Sequence, residues 1–546
     1  MKMMGGQVMG IYLNPGNIDF QEALNSKIYV DKTELMKYTN DVIRTEDKYV
    51  CVSRPRRFGK SMAADMLVAY YSRGCNSKEM FSGYKIADDL SFKKHLNKYN
   101  VIHINMVNFL GEAKNIEEMI KFIEEDIIDE ITEEFPDLKM PRRIRLLNVL
   151  NKVFSQYKIP FIFIIDEWDC VFRMFKGNKE DHTEYLNFLR NLLKDQSYIA
   201  LAYMTGILPI KKYGEHSALN MFTEVSMTDP REYAEFTGFT ESEVAELCQK
   251  YNMPYDETKK WYDGYDLMGV SIYNPRSVVM SMTGGYFNNY WTSTETYEAL
   301  EEFICRNDDG LRDTIVRLLS GEKKVIAPST FTNDMVTFNS QNDVLTLLVH
   351  LGYLTFDFNT KEVSIPNYEV SDQFASTMKI TNWSEVSKSL KVSDELLKTT
   401  LRGDSETVAK LISDNHKENT SILKYNDENS LACVLSIAYY SARKDYIIHR
   451  EFATGNGFAD LVFIPRNGRN LPAMIVELKK GPSAGEAIQQ IKDNDYLHKV
   501  SEYTGEILFV GINYDEQKGL FEKLLTNKTK YAKIITVRNV IYFVAT

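Results

Sequence analysis

The feature that most narrows the folds open to this chain is an apolar stretch, YVCVS at 49–53, that runs directly into RPRRFGKS at 54–61 and then into the helix-favouring SMAADMLVAYY. A strand, a loop closed by Gly59-Lys60-Ser61 and a helix follow the phosphate-binding pattern G-x-x-x-x-G-K-[ST]. The chemistry demands these residue types. Successive backbone N–H groups of such a loop wrap a phosphate, and the helix N-terminus adds its partial positive charge. On this reading Arg57, Phe58 and Gly59 form the loop against the nucleotide, Lys60 reaches the β- and γ-phosphates, and Ser61 holds Mg²⁺ through its hydroxyl. One position departs from the pattern: Arg54 stands where the first glycine belongs, so the loop has to turn with a side chain present.

A second apolar stretch, FIFIIDEWD at 161–169, ends in Asp166-Glu167. A buried strand that delivers two carboxylates suits nucleotide hydrolysis. Asp166 is expected to bind Mg²⁺ through water, and Glu167 to polarise the attacking water. A third, IALAYMTG at 199–206, carries Thr205 near its end, where ATPases with an extra strand beside the phosphate loop place a γ-phosphate sensor. A threonine at a strand end without that role is the plainer alternative. Strand-like and helix-like segments alternate from about Lys48 to Thr205, which predicts a parallel α/β sheet. In 116–135, apolar residues recur at i, i+3 and i+4 and the other face is acidic, the pattern of a helix with a solvated side.

At 546 residues the chain has room for about three to four domains. The formal net charge of −11 argues against a protein that coats nucleic acid with its whole surface, and leaves room for a local basic patch. Six cysteines are scattered without a C-x-x-C pair, which predicts neither a zinc site nor a disulfide framework and fits a reducing cytoplasm. The longest apolar run, 159–165, is too short to span a bilayer, so no membrane association is expected.

The C-terminal part carries a second set of acids. GFADLVFIP at 457–465 reads as a strand with Asp460 near its start, and after the polar turn 467–470 comes AMIVELKK at 473–480. Glu477 and Lys479 are two apart on a strand and leave the same face. A hairpin sets Asp460 beside Glu477, and two carboxylates with a backbone carbonyl make a hard oxygen site for Mg²⁺ or Mn²⁺. Lys479 would orient and deprotonate a water or stabilise developing phosphorane charge. This D…E-x-K layout is the PD-(D/E)XK signature. Glu451 on the preceding strand is a further candidate, with a surface acid as the alternative. Glu428, at the start of a helix over 428–441, is another, with a favourable helix-dipole contact as the alternative.

Taken together, YVDKT at 29–33, RPRRFGKS at 54–61, FIIDEWD at 163–169, TGILPI at 205–210, WYDGY at 261–265, YNPRSV at 273–278, GYLTF at 352–356 and IPNYEV at 365–370 resemble the bacterial AAA-ATPase-like proteins with a C-terminal PD-(D/E)XK nuclease domain. Arg54 in place of glycine is usual in that family, and Gln490 and Tyr496 fit its Q-I-x-x-x-x-Y pattern. The resemblance implies an α/β chain: a P-loop ATPase core over 1–208, a helical lid over 209–280, a middle α+β region over 281–392 with a winged-helix-like stretch at 345–367, and a restriction-endonuclease-like domain over 393–546. It further implies a five-stranded parallel core with Asp166 on the strand next to the P-loop strand. Arg276 would sense phosphate from the lid, with a structural ion pair as the alternative. Asp31 and Lys32 would line the base or ribose pocket, with a capped loop as the alternative. ATP and Mg²⁺ are the implied cofactors and DNA or RNA the implied partner. An arginine supplied in trans would imply an oligomer, though no residue declares itself as one. The function expected is an ATP-controlled nuclease. The competing readings are a nucleotide switch whose tail binds without cutting, and a remodelling ATPase.

Overall fold

The computed structural model describes residues 3–4, 7–8, 10–176, 178–210, 219–291, 310–331, 338, 340–380, 384–419, 433, 435–454, 457–466, 470–480, 506–515, 520–527, 532–537 and 540–545. Two compact units form: Met1–Thr294 with Val325–Val370, and Glu295–Lys324 with Ser371–Thr546. Among the described residues no helix is long and apolar enough to cross a membrane.

In the first unit the phosphate loop joins β1 (Tyr49–Ser53) to α1 (Lys60–Tyr71). With β2 (Asn100–Asn105), β3 (Phe161–Asp166), β4 (Ile199–Gly206) and β5 (Thr223–Val225) it builds a five-stranded parallel sheet of order β2-β3-β4-β1-β5. Every residue of β1, β3 and β4 is buried. A parallel sheet covered on both faces selects such unbroken apolar runs, which is why these strands stand out in the sequence. Ala64, Leu67 and Val68 of α1 pack on Val50, Val52, Ile162, Ile164 and Tyr203, fixing the helix whose N-terminus opens at the sheet's C-terminal edge. The edge strand β2 is covered by the N-terminal segment: Glu130 of α2 (Ile116–Glu134), a helix that packs beside α3 (Lys179–Leu193), accepts the N–H groups of Ile11, Tyr12 and Leu13, and Leu13 bridges Ile102.

The sheet order corrects one expectation. Asp166 is not on the strand next to the P-loop strand, because β4 lies between β1 and β3. β4 is long and apolar enough to hydrogen-bond to both, and this insertion seats Thr205 between the loop and Asp166.

The rest of the first unit contains a small antiparallel sheet of β6 (Phe239–Thr240), β7 (Tyr265–Leu267) and β8 (Val270–Tyr273), in the order β6-β8-β7. Around it lie α4 (Glu241–Tyr251), started by a Thr240/Glu243 capping box, and α5 (Pro275–Gly284), capped by Asn274. Residues 325–370 of the middle region pack into this same unit. They include α6 (Gln341–Leu351), ended by Gly352 at φ +88°, and the hairpin of β9 (Thr355–Phe356) and β10 (Glu362–Ser364). A helix and a short hairpin do occur at 345–367, but residues 343–351 of α6 are all buried, so that stretch presents no helix face to a DNA groove.

Gly264 explains one of the specific strings. It sits at φ +103°, and a Cβ there would run into the Pro366 carbonyl. Gly264→Ala therefore combines a strained backbone with an overlap, and is expected to cost on the order of 3 kcal/mol. A thermal scan in which the variant melts with the parent would contradict this.

The second unit is a seven-stranded mixed sheet of β11 (Tyr446–Thr454), β12 (Gly457–Pro465), β13 (Ala473–Lys480), β14 (Ile507–Asp515), β15 (Leu520–Asn527), β16 (Ala532–Val537) and β17 (Val540–Ala545), in the order β11-β12-β13-β14-β15-β17-β16. Helices α7 (Ser384–Arg402) and α8 (Ser405–Asn419) contribute Leu396, Val408 and Ile412 to a core with Leu461, Phe463, Met474 and Val476. The chain is thus α/β in both units.

Candidate functional site

The first candidate site lies at the C-terminal edge of the parallel sheet. Gly59 takes φ +85° at the mouth of α1, and the space where a Cβ would stand is open. That conformation lets the backbone curl into a cradle that only glycine adopts without strain. Lys60 is buried and donates to the Pro55 carbonyl at 2.9 Å, so its amine closes the loop on itself. Burial lowers its pKa, against the upward pull of Glu167 and Asp166. Arg57 also adopts a positive φ, +71°, at the loop's turn. The Phe58 ring is buried against Tyr265, with centroids 5.2 Å apart.

Arg54 resolves the departure at the first position. Its side chain is fully buried beneath the loop, where Nη1 donates to the Ser53 carbonyl at 3.0 Å. Burial pulls its pKa down to about 10. The loop tolerates the arginine because the side chain turns into the protein rather than into the phosphate cradle.

Asp166 is held from two sides. Ser61 Oγ donates to Oδ2 at 2.6 Å, and Thr205 Oγ1 donates to Oδ1. Three residues from three elements, α1, β3 and β4, thus bring their oxygens together. Glu167 leaves the strand at φ +56°, a conformation uncommon for a non-glycine residue, and its carboxylate pairs with Arg173. Arg173 also lies 3.2 Å from Asp169, which is buried and accepts the N–H groups of Ile207 and Leu208 at 3.2 and 2.9 Å. A Cβ on Gly206 would stand 2.6 Å from the Trp168 ring, so β4 can end against this turn only as glycine. Sequence reasoning missed Arg173 and Asp169. The available signal was a third carboxylate closing FIIDEWD with an arginine four residues on.

Other expected residues divide. Arg276 is exposed in the first turn of α5 and makes no hydrogen bond or ion pair among the described residues. Asp31 caps its own loop, accepting Thr33 N at 2.9 Å and Lys85 N at 3.0 Å. Lys32 pairs with Glu243 at 2.6 Å and donates to the Glu235 carbonyl at 2.7 Å. Asp31 and Lys32 thus do the work of a capped, tethered loop.

The second candidate site lies on β11, β12 and β13. Leu461 pairs with Val476 and Val462 with Ile475, and Asp460 and Glu477 are the next residues beyond the last of these pairs. Arg450 pairs with Leu461 and Phe452 with Ala459, which sets Glu451 opposite Asp460. Three acidic positions therefore form a row across three strands, and Gly511 of β14 extends it beside Glu477. Glu477 is buried, and the row alternates with Leu461 and Val476, which face the helices. Lys479 follows two residues along β13; its side chain lies outside the described residues, as do Glu428, Gln490 and Tyr496.

Comparison with known families bears on both sites. Residues 16–214 match the family model described as a predicted AAA-ATPase (AAA-ATPase_like), and residues 426–523 match that of the PD-(D/E)XK nuclease superfamily. The chain joins an AAA-ATPase-like region to a PD-(D/E)XK nuclease superfamily region. A protein of Azotobacter chroococcum mcd 1, described as the uncharacterized protein in the vnfD 5' region, is 24% identical over 514 residues, 89% of this chain and 92% of that protein. Among solved structures, the ORC2 protein of Aeropyrum pernix aligns at TM-score 0.28 and 13% identity, covering 65% of this chain and 97% of that one. The Cdc6p of Pyrobaculum aerophilum aligns at 0.22 and 11%, covering 66% and 97%. The fold stands on the strand order above.

The AAA-ATPase-like region contains one more acid of note. Burial, reinforced by Asp19 and Asp166, pushes the Asp65 carboxyl on α1 up to about 7 from its ordinary 3.8. The folded chain then keeps a proton that the unfolded chain has lost, so this group's contribution to stability falls as pH rises from about 4 to about 7. Asp65→Asn is expected to raise the melting temperature at pH 8 and to lose most of that gain at pH 4. Equal shifts at both pH values would contradict the assignment.

Proposed function

We propose that this chain binds and hydrolyses ATP in its first unit, and that the nucleotide state controls metal-dependent cleavage of nucleic-acid phosphodiester bonds in its second. The observation that carries the reading is the cross-strand row of Glu451, Asp460 and Glu477, with Lys479 two residues beyond. Acids at neighbouring positions on adjacent strands suit shared binding of one divalent cation by their oxygens. When bound, such a cation supplies Lewis-acid stabilisation of the phosphoryl charge. Asp460 and Glu477 would be its protein ligands, and the Lys479 amine would orient the attacking water. In the ATPase site, Gly59 and the loop backbone would bind phosphate, and Lys60 would leave the Pro55 carbonyl to meet it. Ser61 and Asp166 would hold Mg²⁺, Thr205 would report on the γ-phosphate, and Glu167 would take the proton of the attacking water. Both oxygen sets suit Mg²⁺, and the nuclease row suits Mn²⁺ as well.

The deciding experiment incubates the full chain with single- and double-stranded DNA and RNA, in Mg²⁺ or Mn²⁺, with and without ATP. Cleavage that requires metal and changes with ATP is expected. Nucleic-acid binding without cleavage under every condition would replace this reading with that of a nucleotide-switched binding module.

A further inference from the structure

The phosphate loop is gripped from outside the ATPase core. The Trp291 indole donates through Nε1 to the carbonyl of Arg56, inside the loop, at 3.1 Å. Gly238 N donates to the carbonyl of Phe58 at 2.9 Å. Gly352 comes so close that a Cβ would stand 2.8 Å from the Pro55 ring, and its own carbonyl accepts the Tyr265 hydroxyl at 2.8 Å. Three of the loop's residues are therefore held by partners lying more than 170 positions later in the chain.

One buried carboxylate organises the grip. Glu369 is 1% exposed. Its oxygens accept the backbone N–H groups of Tyr290 and Trp291 at 2.7 and 2.8 Å, and the Ser277 hydroxyl at 2.8 and 2.9 Å. A buried acid that gathers two backbone donors and a hydroxyl fixes the Trp291 backbone, and with it the direction of the indole N–H. The chain leaves the first unit after Thr294 and again after Val370. Trp291 and Glu369 stand immediately before those two exits, bonded to each other.

We propose that Glu369 is a positioning residue for nucleotide binding: acting through Trp291, it sets the Arg56 carbonyl of the phosphate loop and ties the state of that loop to both segments that lead out of the ATPase unit. This rests on the ATP reading above and names the device by which the nucleotide state reaches the rest of the chain. Rearrangement of the loop as Lys60 leaves Pro55 changes the position of the Arg56 carbonyl. The Trp291 indole follows it or loses its bond.

The test uses the full chain and a non-hydrolysable ATP analogue with Mg²⁺, reading affinity by calorimetry and conformation by tryptophan emission. Trp291→Phe keeps an aromatic side chain but removes the indole N–H donor together with the five-membered ring. It is expected to weaken nucleotide affinity by about threefold to tenfold, the worth of one net hydrogen bond; the nucleotide-dependent change in tryptophan emission is read in the Glu369 variants, which keep Trp291, and is expected to be lost in Glu369→Leu and kept in Glu369→Gln. Glu369→Leu is expected to weaken affinity by roughly tenfold or more, while Glu369→Gln, whose amide oxygen still accepts the two backbone N–H groups, stays within about threefold of the parent. A Trp291→Phe protein with parental affinity overturns the proposal. So does a Glu369→Gln protein as impaired as Glu369→Leu, which would mark a packing defect. A parent chain that takes up no nucleotide in the calorimeter overturns the ATP reading itself, an outcome distinct from either.

Discussion

Alanine at Lys60 is expected to weaken ATP·Mg²⁺ binding by roughly 100-fold, because a charge-assisted bond to phosphate is worth up to about 3 kcal/mol. The amine is buried at the mouth of α1 and, among the described residues, donates to the loop's own Pro55 carbonyl, a partner that a phosphate could replace. Glu167→Gln is expected to behave differently, keeping affinity and losing turnover by roughly 10²-fold to 10⁴-fold, since an amide cannot accept the proton of an attacking water. The contrast between the two variants is the informative part. Calorimetry showing parental affinity in Lys60→Ala would remove the nucleotide assignment. Parental turnover in Glu167→Gln would move the base elsewhere and leave Glu167 as the structural partner of Arg173.

The second large effect is expected at Glu477. Alanine there removes one of the two carboxylates that stand next to the last β12–β13 pair, Leu461 with Val476. Loss of groups that merely orient metal ligands costs about 10-fold to 100-fold, so loss of a ligand itself should cost roughly 100-fold or more in metal-dependent cleavage. Divalent cations should raise the melting temperature of the parent, and that second-unit contribution should vanish in Glu477→Ala when Asp166→Asn is also present to silence the first site. Undiminished cleavage by Glu477→Ala would end the assignment.

The residues of the first candidate site were largely legible because they are local in the chain. Gly59, Lys60 and Ser61 are consecutive, and an apolar strand delivers Asp166 and Glu167 by continuity of the backbone. The E-x-K pair was legible for a similar reason, since period-two alternation assigns Glu477 and Lys479 to one face without knowledge of the fold. Glu451 was harder: an acid on a strand reads equally as a surface residue until the register of β11 on β12 sets it opposite Asp460.

What the sequence by itself determined is the set of segments whose meaning lies within a dozen residues: the phosphate loop and its helix, the apolar strands of the parallel sheet, the two carboxylate endings, and the alternating strands of the C-terminal region. Only the tertiary structure decided which strands are neighbours. Hydrogen bonding along β4 placed Thr205 between the P-loop and Asp166, where adjacency along the chain is silent. The strings WYDGY, YNPRSV, GYLTF and IPNYEV were recognisable as a set, yet nothing local says why they occur together. Folded, Gly264 passes the Pro366 carbonyl, Ser277 donates to Glu369, and Tyr265 meets both Phe58 and Gly352, so the four strings close on the phosphate loop. Their identities answer to contacts made across tens to hundreds of residues, and such contacts leave no periodicity in the sequence from which to read them.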